Sequence, residues 1–213
     1  LAHEIKNPLT PIQLSAERLQ HKLGGKLDED DARLLQRATQ TIVSQVAAMK
    51  NMVGDFANYA RGPALKLSRL DLHLLIREVL GLYEANAIPI MPKLDALRSD
   101  INRDATRVRQ VIHNLLQNAQ DALHGIERPQ ITLHTGTHDE EIHLHVKDNG
   151  AGFSENVLSS AFEPYMTTKT KGTGLGLAIV KKIVEEHGGH IAIENKPGGG
   201  ARVSIVLPLA EEV

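Results

Sequence analysis

The sequence predicts an α+β chain: a helical hairpin followed by an α/β sandwich, in which a mixed sheet is covered by about three helices. Three observations predict it. Residues 1–60 carry apolar side chains at helical spacing and only two glycines, the adjacent Gly24 and Gly25, before Gly54. Beyond residue 63, helical stripes alternate with short stretches in which every second residue is apolar. Three glycine-rich clusters punctuate that second part.

The elements follow in order. From Leu9 the positions Ile12, Ala16, Leu19 and Leu23 form a stripe of spacing three or four, the mark of a first helix. Gly24 to Asp30 is a turn, with Asp28 or Asp30 as N-cap of a second helix. That helix bears two seams of seven-residue period, Leu35, Ile42, Met49, Phe56 and Thr39, Val46, Val53, Ala60. Two helices alone leave a wide apolar face on each, so the hairpin is expected to pair with a second copy as a dimeric four-helix bundle. Arg61-Gly62-Pro63-Ala64 reads as a linker, which sets domains at 1–62 and 63–213. Lys66–Leu70 suits a short strand and Leu72–Ala87 a helix buried through Leu75, Ile76, Val79, Leu80 and Tyr83. Ile88–Leu94 contains two prolines and is at best an edge strand. Asp104 caps a helix reaching His124, buried through Val108, Val111, Ile112, Leu115, Leu116, Ala119 and Ala122. Gln130–Thr135 and Glu141–Val146 alternate as a hairpin. A helix over Leu175–His187 stops at Gly188-Gly189, and strands His190–Glu194 and Arg202–Leu207 flank a glycine turn.

Composition removes several functions. With 24 Lys+Arg against 26 Asp+Glu and a net charge of -2 over 213 residues, no basic stripe marks nucleic acid as a partner. The absence of cysteine excludes disulfides, thiolate catalysis and cysteine-ligated metals. No apolar run approaches the ~20 residues of a membrane-spanning helix, so no membrane contact is expected of these residues. The chain opens on Leu1, within a helical pattern, and is therefore expected to be a piece of a longer protein.

Asp148-Asn149-Gly150-Ala151-Gly152 follows a strand, Gly172-Thr173-Gly174-Leu175-Gly176-Leu177 opens a helix, and Gly198-Gly199-Gly200 joins two strands. Amides at a glycine-rich helix start form an anion site suited to phosphates. The second cluster is neither the dinucleotide fingerprint nor a P-loop, because its glycines run G-x-G-x-G and no Gly-Lys-Ser/Thr follows. Asn114 and Asn118 lie four apart on an otherwise apolar helix. They read equally as core hydrogen-bonders or as neutral oxygen ligands suited to Mg²⁺. His143 and His145 share one face of a strand, and with no third ligand in sight they read as surface residues.

In order, Asn114/Asn118, Asp148-x-Gly150-x-Gly152, Phe162-Glu163-Pro164-Tyr165 and Gly172-x-Gly174-x-Gly176 resemble the boxes of the ATP-binding fold shared by sensor histidine kinases, gyrase, MutL and the heat-shock chaperones. The string His3-Glu4-Ile5-Lys6-Asn7-Pro8-Leu9-Thr10 resembles the phosphoacceptor box of the histidine kinases and selects them. Its continuation to Leu19 is similar to the NtrY branch, the nitrogen-regulation sensors. The resemblance implies ATP and Mg²⁺ as cofactors, a homodimer, and a response-regulator receiver domain as partner. It implies His3 as phosphoacceptor, Glu4 as its general base, and Asn7 as the residue that orients water for dephosphorylating the regulator. Asp148 would select adenine, Gly150 and Gly152 would admit the nucleotide, and Asn118, supported by Asn114, would ligate Mg²⁺. Lys169, Gly172, Thr173, Gly174, Leu175 and Gly176 would surround the phosphates. Many members of the family carry a basic residue where Asp121 stands; Arg107 or Lys169 is expected to compensate. Pro8 and Pro11 each remove a helix amide, so a bend just past His3 is expected. The resemblance also places the chain in the cytoplasm, as the soluble part of a sensor anchored in the bacterial inner membrane.

Overall fold

The computed structural model describes residues 2–60, 64–84, 88–167 and 173–211. They form two compact units. The first is the hairpin of α1 (Ala2–Leu23) and α2 (Glu29–Ala60). Asp28 starts α2: its Oδ1 accepts the amides of Asp30 at 3.1 Å and Asp31 at 2.9 Å. Helix α1 runs unbroken through Pro8 and Pro11. Leu9 and Ala16 bury against Thr39 and Val46, so the Thr39–Val46–Val53 seam is the one facing inward. Two polar ties cross the hairpin, Thr39 Oγ1 with Gln20 Oε1 at 3.0 Å and Lys50 Nζ donating to Gln13 Oε1 at 2.8 Å. The other seam, Ile42, Met49 and Phe56, stays exposed, as do Ile12, Leu19 and Leu23.

The second unit carries β1 (Ser68–Asp71), α3 (Leu72–Gly81), β2 (Ile90–Leu94), β3 (Asp100–Arg103) and α4 (Ala105–Ala122). It continues through β4 (Ile131–His138), β5 (Glu141–Asp148), the short α5 (Glu155–Ser160), α6 (Gly176–Glu186), β6 (His190–Asn195) and β7 (Ala201–Pro208). The main sheet is mixed, ordered β2-β4-β5-β7-β6, and β1 pairs with β3 separately. Only β2–β4 is parallel among its pairings, and Pro92 sits on that edge strand as its missing amide demands. Strict alternation puts Ile131, Leu133, Ile142, Leu144, Val146, Val203, Ile205 and Leu207 on one face, buried with the apolar sides of α3, α4 and α6. The opposite face holds half-buried His134, His143, His145 and Ser204. Burial foremost, then the nearby Lys147 charge, pushes the His145 imidazole down to about 4. Ala122, expected in the core, is exposed at the end of α4, and α3 ends at Gly81 rather than Ala87, which lies outside the described residues.

One buried residue ties three elements together. Asp104 caps α4 by accepting the amides of Thr106 (3.0 Å) and Arg107 (3.2 Å) on Oδ1, while Oδ2 accepts the Lys66 amide at 3.0 Å. Its own amide donates to His187 Nε2 at 3.2 Å, and His187 Nδ1 lies 2.7 Å from the Ile183 carbonyl. The Lys66 amide is the main cause holding the Asp104 carboxyl below its ordinary range, against the opposing effect of burial. Asp104→Ala removes a cap and orphans buried amides, and is expected to cost about 2–4 kcal/mol. Because the folded carboxyl is the more acidic, its pH-linked stabilisation is present above the unfolded value of about 3.9 and is lost as pH falls through the folded value. Urea unfolding of both proteins should therefore show a gap at pH 7 that narrows in acid. An equal gap at both pH values would refute the linkage.

Candidate nucleotide site

Strand β5 ends on Asp148, which is buried where the sheet meets the C-terminal end of α4. Its Oδ1 accepts the amides of Gly150 at 2.8 Å and Ala201 at 3.2 Å, which fixes the carboxylate plane. The Lys196 ammonium donates to its carbonyl at 3.0 Å. Asn149 staples the loop to the chain entering β4, donating to the Arg128 carbonyl and accepting the Gln130 amide, both at 2.8 Å. Gly150 rests on the end of α4: a Cβ there would stand 2.5 Å from the Ala122 carbonyl oxygen. Asn195 clamps the next turn, its Oδ1 accepting the Phe153 amide and its Nδ2 donating to the Phe153 carbonyl, each at 2.7 Å.

The β6–β7 turn closes on this loop from the other side. Gly200 has φ +82°, and a Cβ there would run into the Asp148 carbonyl oxygen. Gly200→Ala combines strain with collision, so it is expected to destabilise the unit by about 2 kcal/mol or more and to displace Asp148. Thermal unfolding and ATP-analogue titration check this; unchanged values in both would show that the turn does not set the loop.

On α4, Asn114 and Asn118 lie one turn apart and are half-buried. The Asn118 carboxamide faces the start of α6, with Nδ2 3.5 Å and Oδ1 3.7 Å from where a Gly176 Cβ would sit. Leu175, fully buried at the N-cap, offers no side-chain oxygen to the first-turn amides of α6, and amides at such a helix start suit an anion. Gly174 accepts the Tyr165 amide at 3.0 Å, so the segment holding Phe162 and Tyr165 seats on this glycine loop.

The structure thus gathers Asn118, Asp148, Gly150, Gly152, Gly174, Leu175 and Gly176 at one end of the sheet, with Asn114 one turn away and Thr173 just ahead in the chain. Lys169 and Gly172 lie outside the described residues, as do the side chains of His3 and Glu4, although both residues belong to α1. Asn7 is exposed on α1 in the other unit. Arg107 does not replace a phosphate-facing base, because it is buried in the first turn of α4, eleven residues before Asn118 and hence about 16 Å away along the axis. Asp121 instead accepts from Gln117 Nε2 at 2.9 Å. Asn149, Asn195, Lys196 and Gly200 were missed as site-builders; Asn149 stands inside the first glycine cluster, and the sequence signal for the other three was the third. For Mg²⁺ the donor set fits. A neutral amide oxygen beside a glycine-opened helix start suits an ion that shares its shell with water and substrate phosphates.

A carboxylate at a strand end, an asparagine-bearing helix and a glycine-opened helix are thus grouped at one end of a mixed sheet. Residues 103–211 match the family described as histidine kinase-, DNA gyrase B-, and HSP90-like ATPase, and residues 1–64 match the His kinase A phospho-acceptor domain. The chain belongs to the histidine kinases. It is 38% identical over 213 residues to an NtrY-like sensor histidine kinase of Rickettsia bellii, covering 99% of this chain and 35% of that protein. It is 36% identical to the nitrogen regulation protein NtrY of Azorhizobium caulinodans over 222 residues, 97% of this chain and 28% of that one. The chain therefore spans about a third of the length of these relatives. Among solved structures, the histidine kinase ThkA in complex with the response regulator TrrA aligns with a TM-score of 0.72 at 28% identity, over 98% of this chain and 60% of that one.

Proposed function

We propose that this chain, as a homodimer, transfers the γ-phosphoryl group of Mg·ATP to His3 and then to an aspartate of a response-regulator receiver domain in nitrogen-related signalling. The observation that carries the reading is the coexistence, in one chain, of the His3-Glu4-Ile5-Lys6-Asn7-Pro8 string on α1 and the Asp148–Asn118–α6 site. A ring nitrogen of His3 forms a bond to the γ-phosphorus as the bond to the β,γ-bridging oxygen breaks, and the electron pair leaves with ADP. Glu4 takes the proton that the cationic ring must lose. Asp148 accepts the adenine amine, and the first-turn amides of α6 with Lys169 and Gly172 hold the phosphates. Asn118 would hold Mg²⁺, which when bound would neutralise charge on the phosphates.

The exposed seam of Ile42, Met49 and Phe56, with Ile12, Leu19 and Leu23, is the face a second copy would cover. Asn7, one turn beyond His3, is assigned the water-orienting role in dephosphorylating the regulator. No helix among the described residues is long and apolar enough to cross a membrane; the chain is assigned to the cytoplasmic side of an anchored sensor. The test is incubation with γ-labelled ATP and Mg²⁺, followed by acid and alkali. Acid-labile, alkali-stable label is expected. Steady ATP hydrolysis with no phosphoprotein would overturn the reading in favour of a gyrase- or chaperone-like ATPase.

A further inference from the structure

His143 and His145 alternate along β5, so both imidazoles leave the sheet on its helix-free face. Strand pairing supplies what the linear sequence hides. His134 of β4 is the register partner of His145, and Gly136 is the partner of His143, so a residue without a side chain opens space between the three rings. The His134 and His145 centroids are 5.8 Å apart, and those of His143 and His145 are 6.2 Å apart. Two imidazoles sharing one ion at N–metal distances of about 2.0–2.1 Å have centroids roughly 5 Å apart, so His134 and His145, stacked with 15° between their planes, must turn out of that arrangement to share one.

Two of the three rings have an outer polar neighbour. His134 Nε2 lies 3.4 Å from Asp95 Oδ2, while its Nδ1 is buried with no partner. His145 Nδ1 is 2.8 Å from Ser204 Oγ, which leaves Nε2 available. His143 Nε2 is likewise buried and unpartnered. One nitrogen held by an outer carboxylate or hydroxyl and the other left without a partner is how metal-ligating histidines are oriented.

We propose that His134, His143 and His145 bind one divalent transition-metal ion of the Zn²⁺ or Ni²⁺ type, with water completing the shell. Three neutral imidazoles suit such ions, whereas Mg²⁺ prefers oxygen. Among the described residues no three such side chains stand at ligand distance from one point, so binding requires the three rings to turn toward the ion. Lys93, Lys147 and Arg202 share this face and oppose a cation. Arg202 is drawn off by Glu194 at 2.7 Å, and Lys93 is exposed to screening water. The expected affinity is therefore micromolar.

The test is calorimetric titration of the whole chain, untagged and stripped with a chelator, with Zn²⁺ and separately Ni²⁺. One ion per chain is expected, and His134→Asn, His143→Gln and His145→Gln should each weaken binding by about tenfold or more. His190→Gln, on neighbouring β6, should not. Absence of saturable binding, or binding that survives all three substitutions, overturns the proposal. Co²⁺ on the unaltered chain gives a reading that needs no variant to fold: an imidazole-type visible band displaced by Zn²⁺ supports the site, and its absence refutes it.

Discussion

His3→Gln is expected to reduce labelling from γ-labelled ATP to background while leaving the affinity for an ATP analogue within about twofold. Glutamine keeps a polar side chain and a good helix propensity in the first turn of α1, so the hairpin should persist. Its amide nitrogen has a delocalised lone pair and cannot attack phosphorus, so the loss is of chemistry alone. The residues assigned to the nucleotide belong to the other unit, on α4, β5 and α6. Phosphoamino-acid analysis and a parallel analogue titration check both halves. Retained label would place the acceptor elsewhere among the 11 histidines. Joint loss of label and nucleotide binding would mean that the variant had lost its fold.

What the sequence made legible, and what it did not, follows the range of each signal. The apolar period of α4 and its Asp104 cap are local, so the helix and its buried face were readable, apart from Ala122, the exposed last residue. Strand β3 was not, because Asp-Ile-Asn-Arg presents a single apolar residue, Ile101, and its partner β1 is distant in the chain. The two seams of α2 share one period, so sequence revealed both but had no means of choosing the one that meets α1; packing against Leu9 and Ala16 makes that choice. The same limit applies at the site. Asp148 and its glycines form a local motif, whereas Asn195 and Gly200, which hold that loop, arrive from the β6–β7 turn about fifty residues later. The histidines show it most directly: His143 and His145 are neighbours in sequence, and His134 joins them only through antiparallel register.

Asp148→Asn separates recognition from architecture. The substitution is isosteric, and an asparagine oxygen in place of Oδ1 still accepts from Gly150 and Ala201, so the loop should hold. Both amides reach Oδ1, so Oδ2 is the oxygen proposed to accept from the base. In the variant that position becomes an NH₂ group, which sets donor against donor when the exocyclic amine of adenine approaches. Losing a hydrogen bond to a charged acceptor and stranding a polar group together cost about 1.5–3 kcal/mol. ATP affinity should therefore fall by roughly 10–100-fold. Guanine presents a carbonyl oxygen at the same place, so the NH₂ group can donate to it and GTP binding should hold or improve. The ATP-to-GTP preference is then expected to collapse by at least the loss in ATP affinity. Competition of each nucleotide against a fluorescent ATP analogue measures the ratio, with thermal unfolding as the control. An unchanged ratio would remove Asp148 from base selection and leave it as the residue that shapes the loop.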